Sequence, residues 1–221
     1  MNKATIEFCD YTWNPIVGCQ HECKWCWARK FHKRYFSGSF DTPQFNPDRL
    51  EESNPKLPQK RNYIASAISP DSPVIFVVDM GDIFSPGVQK PWIYEILAYV
   101  ERHDTSTFLF LTKNPSRYPE FKFPQNVILG TSMSHAHNWH RLEPLRVMKE
   151  QGYTVFVNVE PLMSRMDMVD FSGMDFVVVG ALTGHHYRPD RAWFGTINHP
   201  VVYYKRNLRA YFPGLKERKG L

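Results

Sequence analysis

Val74-Ile75-Phe76-Val77-Val78-Asp79-Met80-Gly81-Asp82 sets the pattern from which the fold of this chain is read. Five apolar residues run without alternation, and the sequence then turns abruptly polar. A strand buried on both faces has this composition, and parallel sheets are built from such strands. The change recurs at residues 108–111 before Thr112-Lys113-Asn114, and at 127–129 before Gly130-Thr131-Ser132. It recurs again at 155–157 before Asn158-Val159-Glu160-Pro161, and at 176–179 before Gly180-Ala181-Leu182-Thr183-Gly184. Between these runs lie segments able to form helices, at 91–102, 116–121, 138–151 and, more briefly, 163–169. Residues 4–8 offer a first strand and 200–204 a last one. Repeated βα units build a parallel sheet or barrel, and six or seven strands fall short of the eight that close one. The expected fold is α/β, a partial (β/α)6-type TIM barrel, in one domain over residues 1–221. An irregular, proline-rich insertion at 37–73 and a basic segment at 205–221 complete it.

In a parallel barrel the C-terminal strand ends form the active face. Any one polar strand end is explained by helix capping or turn formation. Five of them beside a cysteine loop point to a site.

That loop is Gly18-Cys19-Gln20-His21-Glu22-Cys23-Lys24-Trp25-Cys26-Trp27, ahead of a helix expected at 27–36. Thiolates are the ligands of iron–sulfur clusters, and a cubane 4Fe-4S cluster ordinarily takes four, one per iron. Three therefore leave one iron open. The competing reading is a zinc site, with Cys9, His21 or His32 as fourth ligand. Zinc motifs usually pair their cysteines as C-x2–4-C, twice over or with a histidine pair. His135, His137 and His140, with His185 and His186, read as loop histidines ahead of a second metal site.

The chain has four cysteines, a net charge of +5 and no apolar run long enough to span a membrane. Crowded thiols of this kind suit the reducing cytosol better than a secreted disulfide framework. The N-terminal residues lack an apolar signal core, so a cytoplasmic location is expected. Cations gather at Arg29, Lys30, Lys33 and Arg34 and again at Lys205, Arg206, Arg209, Lys216, Arg218 and Lys219. Such clusters mark polyanion partners, or else two solvated faces.

The spacing C-x3-C-x2-C, with an aromatic before the last cysteine, resembles the signature of the radical S-adenosylmethionine (SAM) superfamily. Thr12-Trp13-Asn14-Pro15, Gly18-Cys19, Met80-Gly81-Asp82-Ile83-Phe84, Leu111-Thr112-Lys113-Asn114-Pro115-Ser116-Arg117, Gly130-Thr131-Ser132, Glu160-Pro161-Leu162, Arg188-Pro189 and Lys205 narrow it further. Their order is similar to that of a little-characterised, phage-associated family related to spore photoproduct lyase. The resemblance implies a 4Fe-4S cluster on Cys19, Cys23 and Cys26, the catalytic and metal-ligating residues. SAM would chelate the open iron and be cleaved to a 5′-deoxyadenosyl radical that abstracts hydrogen from substrate. It also implies Trp25 at the adenine, Gly81 and Asp82 at the SAM amino group, Lys113 at its carboxylate and Ser132 at the ribose. Glu160 would bind the ribose or the substrate, or else be a structural carboxylate paired with a nearby Arg. The chain departs from the family at Val159, at Leu182 and just before Asn138, all on the substrate side.

The substrate expected from the basic flank and the resemblance is a nucleic-acid base, in repair, rearrangement or modification of phage-type DNA. A peptide or metabolite substrate, or a non-enzymatic zinc-stabilised nucleic-acid-binding module, are the alternatives. A low-potential electron donor such as flavodoxin or ferredoxin is the implied partner.

Overall fold

The structure, a computed structural model, describes residues 1–183 and 187–219. Its fold is mixed α/β, and it divides into two compact units. The first is Met1–Thr112 with Phe121–Ile128; the second is Lys113–Glu120 with the chain from Leu129 onward.

The first unit begins with strands β1 (Asn2–Lys3), β2 (Tyr11–Trp13) and β3 (Ile16–Val17), then helix α1 (Trp27–Tyr35). Strand β4 (Gln44–Phe45), a 3-10 turn at Pro47–Glu51 and helix α2 (Tyr63–Ile68) follow. Strand β5 (Val74–Val77), helix α3 (Lys90–Arg102) and strand β6 (Thr107–Thr112) complete its order. The sheet runs β1-β2-β5-β6. β2, β5 and β6 are parallel, and β1 lies antiparallel at the margin. All four residues of β5 are buried, as an unalternating apolar run requires. In α3, Ile93, Ile96, Leu97 and Val100 repeat at helical spacing and are buried. Pro91 in its first turn removes an amide that has no helical partner there. Trp13 stacks on Tyr99 with ring centroids 4.3 Å apart, over Phe108.

Residues 4–8 do not form the expected strand, and the first βα unit starts at β2 instead. Alternation there misleads because a side chain takes the backbone acceptors. Asn62 Nδ2 donates to the carbonyls of Ala4, Ile6 and Cys9, and Ala65 N–H to that of Glu7. Next to it the enclosed Asp10 carboxylate pairs with Arg61 at 2.7 Å. Arg61 also donates to the carbonyls of Ala65, Ser69, Pro70 and Ser72, which ties the insertion to the start of β2.

The second unit holds a 3-10 turn (Pro115–Glu120) and strand β7 (Val127–Met133), whose first two residues belong to the first unit. A 3-10 turn (Ala136–Arg141), helix α4 (Leu142–Glu150) and strands β8 (Thr154–Val159) and β9 (Phe176–Val179) follow. A 3-10 turn (Arg191–Thr196), strand β10 (Val201–Tyr204), the short helix α5 (Arg206–Arg209) and strand β11 (Arg218–Lys219) end it. The order is β7-β8-β9-β10-β11, with β8, β9 and β10 parallel and β11 antiparallel. Residues 163–169 are not helical. Their amides go to distant acceptors, Met163 N–H to the Ser134 carbonyl and Met166 N–H to Thr196 Oγ1. No helix among the described residues is long and apolar enough to cross a membrane.

Candidate metal centre

The end of β5 is where the first unit departs from regular geometry. Val78 has φ +63°, a left-handed backbone that a β-branched residue adopts at a cost of about 1–3 kcal/mol. Its N–H donates to the Trp13 carbonyl at 2.7 Å. Asn14 grips the next two residues: Nδ2 donates to Asp79 Oδ1 at 2.5 Å and Oδ1 accepts from Met80 N–H at 2.9 Å. Burial raises the Asp79 pKa, against hydrogen bonds from Asn14 and Thr12 that lower it.

Here the cysteine loop is attached. Gly18 and Gly81 form a parallel β-bridge, and Gly18 N–H donates to the Met80 carbonyl at 3.1 Å. A Cβ on Gly81 would stand 2.5 Å from the Gly18 carbonyl oxygen. Gly18 has φ +109°, and its Cβ would meet the Phe40 carbonyl at 2.8 Å. Two glycines are what lets the backbones touch.

Cys19, Cys23 and Cys26 are free thiols, each half-buried. Cys19 N–H donates to the Phe40 carbonyl at 2.8 Å, and Gln20 N–H to Ser85 Oγ at 2.9 Å. His21 N–H points at Cys19 Sγ at 3.4 Å. Cys26 N–H donates to the Cys23 carbonyl at 3.1 Å. Cys26 is also the N-cap of α1, its sulfur accepting from Arg29 N–H at 3.3 Å. Arg29 places a guanidinium in the field of Cys26 and Cys19 and donates to the Cys19 carbonyl at 3.2 Å. The Cys19 thiol is pushed up to about 11, first by burial and then by the Asp82 carboxylate. Hydrogen bonds from His21 N–H and Ser85 offset part of this.

Asp82 is 5% exposed and heavily committed. Its Oδ1 accepts from Phe84 N–H at 3.0 Å and from the Thr112 hydroxyl at 2.7 Å. Its Oδ2 lies 2.9 Å from His21 Nε2, in an alignment too poor for a hydrogen bond. The contact is an ion pair when the imidazole is protonated. Trp25 is half-buried on the same loop.

The donor set fits an iron–sulfur cluster, since three thiols sit on one glycine-anchored loop. Cys9 is fully buried, with its thiol directed at the Ile6 carbonyl at 3.7 Å. Among the described residues no three His, Cys, Asp or Glu side chains converge as on a single metal ion. One zinc holds its thiolates within about 4 Å of each other. Cubane cysteines bind different irons, so the two readings ask for different spacings.

The remaining expected residues belong to the second unit. Ser132, 6% exposed, lies in β7, and Arg141 donates to its carbonyl at 2.6 Å. Lys113 is half-buried. Glu160 precedes a cis proline. Its Oε2 lies 2.7 Å from Lys205 Nζ, and Asn207 Nδ2 donates to Oε1 at 3.2 Å. The cation that pairs with Glu160 is a lysine, not the arginine of the structural alternative. His137 and His140 are exposed and His135 stacks on His137 with centroids 5.1 Å apart. Burial, and then His137, lower the His135 pKa. His185 and His186 lie outside the described residues.

A family model described as a protein of unknown function, DUF5131, matches residues 3–204. The chain belongs to the DUF5131 family. No curated protein and no solved structure matches it.

In this DUF5131 chain the structure brings Cys19, Cys23, Cys26, Trp25, Gly81 and Asp82 into one unit, and it adds residues to which no role had been given. Asn14, Ser85 and Thr112 hold the loop, the turn after β5 and Asp82. Thr112 was legible as a polar strand end. Asn14 stands in the Thr12-Trp13-Asn14-Pro15 motif, whose polar residue between an apolar strand and a proline signals a structural turn.

Proposed function

We propose that this chain is a radical SAM enzyme acting on a nucleic-acid base. The observation that carries the reading is the Gly18–Gly81 bridge, which fixes a three-cysteine loop to the end of a buried parallel strand. In this reading Cys19, Cys23 and Cys26 would hold a 4Fe-4S cluster, which would supply the electron for reductive cleavage of SAM. The fold is then a partial (β/α)6-type barrel, a reading supported by the parallel order within each unit.

The chain's own residues have positioning work. Asn14 and the two glycines hold the loop, and Arg29 offsets negative charge on the sulfurs. Asp82 orders the turn at which the SAM amino group is proposed to bind, with Trp25 against the adenine. Lys113 is assigned to the SAM carboxylate and Ser132 to the ribose. Glu160, neutralised by Lys205, is assigned to the ribose or substrate. The protein orients and shields, and the cofactor carries the hard chemistry.

A nucleic-acid substrate is supported by the cations that follow the loop directly. The rival is a zinc-stabilised binding module. Metal analysis after anaerobic purification separates them. Iron with acid-labile sulfide supports the enzyme; stoichiometric zinc without iron overturns it. Incubation with DNA and mass spectrometry of its nucleosides then tests the substrate, and a peptide or metabolite takes its place if no nucleoside changes.

A further inference from the structure

In the C-terminal basic cluster Lys205 is held by Glu160 at 2.7 Å, Arg209 by Glu217 at 3.2 Å, and Arg218 donates to the Ile197 carbonyl, while Arg206, Lys216 and Lys219 are exposed. In α1, Lys30, Lys33 and Arg34 are exposed, and the helix contains no acidic residue. Arg29 pairs with Asp41 at its edge.

Beside those cations runs a row of exposed rings. Trp27 is 51% exposed, Phe31 42% and Tyr35 59%, with Phe36 at 53% just past the helix end. Trp27, Phe31 and Tyr35 are four residues apart and share a face. Their centroids are 6.4 Å and 4.6 Å apart in turn. Arg34 lies over the Tyr35 ring at 5.3 Å. Ala28 and His32 form the buried side. At about 100° per residue, Arg34 and then Lys30 line one flank of the aromatic row, about 60° and about 100° round the helix from Phe31, and Lys33 lies about 160° from it.

That layout discriminates between occupants. An interfacial membrane helix sets its cations opposite its apolar face, and here Arg34 and Lys30 lie beside the rings. The exposed face holds rings and no aliphatic side chain, and flat rings are sequence-tolerant platforms for bases. Cations alongside match a phosphate backbone running beside its bases. A duplex hides its base faces in the stack; a single strand offers them.

We propose that the exposed face of α1 is a docking platform for single-stranded nucleic acid, with bases on Trp27, Phe31 and Tyr35 and phosphates beside Lys30 and Arg34. The inference rests on the nucleic-acid reading above and narrows it to unpaired strand. Because α1 starts at the residue after Cys26, the platform leads directly from the cysteine loop.

The test is fluorescence anisotropy of a labelled oligothymidylate of about 15 nucleotides and of a duplex of equal length, across a salt series. The protein is used as purified anaerobically. Phe31→Ala with Tyr35→Ala should weaken single-strand binding about tenfold or more and leave the salt slope unchanged. Lys30→Glu with Arg34→Glu should weaken it and flatten the slope of log affinity on log salt by about 1.4 or more. The duplex should bind more weakly than the single strand. These side chains are exposed, and circular dichroism checks that both variants keep their fold. Should one lose it, the other pair still decides, together with quenching of Trp27 fluorescence compared between wild type and Trp27→Phe. Wild-type affinity in both folded variants overturns the platform and leaves the nucleic-acid reading standing. Equal or tighter duplex binding also overturns it. Absence of binding to any nucleic acid at low salt overturns both readings, as does binding to anionic vesicles alone.

Discussion

His21 Nε2 lies 2.9 Å from Asp82 Oδ2, so a residue between the first two cysteines faces the carboxylate that orders the turn after β5. Asp82 already serves Phe84 N–H and the Thr112 hydroxyl through its other oxygen. The cysteine loop and the end of the buried strand are therefore organised around one side chain.

Asp82→Ala should destabilise the protein by about 2–3 kcal/mol, because it leaves a buried amide and hydroxyl without their acceptor. Asp82→Asn retains an oxygen for both and should cost under about 1 kcal/mol. Urea unfolding midpoints separate the two. Equal losses would show that the charge, and not the hydrogen bonds, is what matters.

Gly81→Ala puts a Cβ 2.5 Å from the Gly18 carbonyl oxygen, which is backbone and cannot swing aside. The variant should lose about 2 kcal/mol or more and take up iron poorly on reconstitution. Gly195→Ala, with open space at its Cβ, is the control and should behave as wild type in both measurements.

Burial, and then the Asp82 carboxylate, push the Cys19 thiol up to about 11. In metal-free protein its alkylation by iodoacetamide, read by peptide mass spectrometry, should be slow at pH 8 and climb toward pH 11. Asp82→Asn should move that rise to lower pH. The sign for stability follows: the folded pKa lies above the unfolded thiol value of about 8.5, so stability is intact below pH 8 and falls as pH rises toward 11. Ligation must displace this proton, so iron uptake should improve with pH over the same range. An alkylation profile centred near 8.5 would remove the argument.

Among the described residues, Lys205→Ala leaves the half-buried Glu160 carboxylate with the amides of Asn158 and Asn207 as partners. A loss of about 1–3 kcal/mol is expected after allowing for partial exposure of the pair. Glu160→Gln combined with Lys205→Met should recover most of it in thermal melts. If the double variant is no better than the single one, the pair is not what Lys205 contributes.

Much of the architecture was legible where side-chain chemistry alone sets it. The unalternating runs at β5 through β10 became strands because a surface buried on both faces leaves no room for polar residues. Residues 27–36, rich in helix formers, became α1. Residues 4–8 and 163–169 misled because Asn62, Ser134 and Thr196 capture their backbone groups from far along the chain. No local pattern records such a partner. In the site, Gly18, Gly81 and the cysteines stood out by residue type. The left-handed Val78 did not, since nothing about valine announces a positive φ. Lys205 was readable as a cation, but its pairing with Glu160 depends on β10 lying next to β9.

The central claim is tested most directly by reconstituting the protein anaerobically with iron and sulfide, adding dithionite and SAM, and assaying 5′-deoxyadenosine. The account predicts its formation by wild type and by Cys9→Ala, and its loss in Cys19→Ala, Cys23→Ala and Cys26→Ala. A folded wild-type protein that shows neither cluster absorbance nor 5′-deoxyadenosine would contradict it.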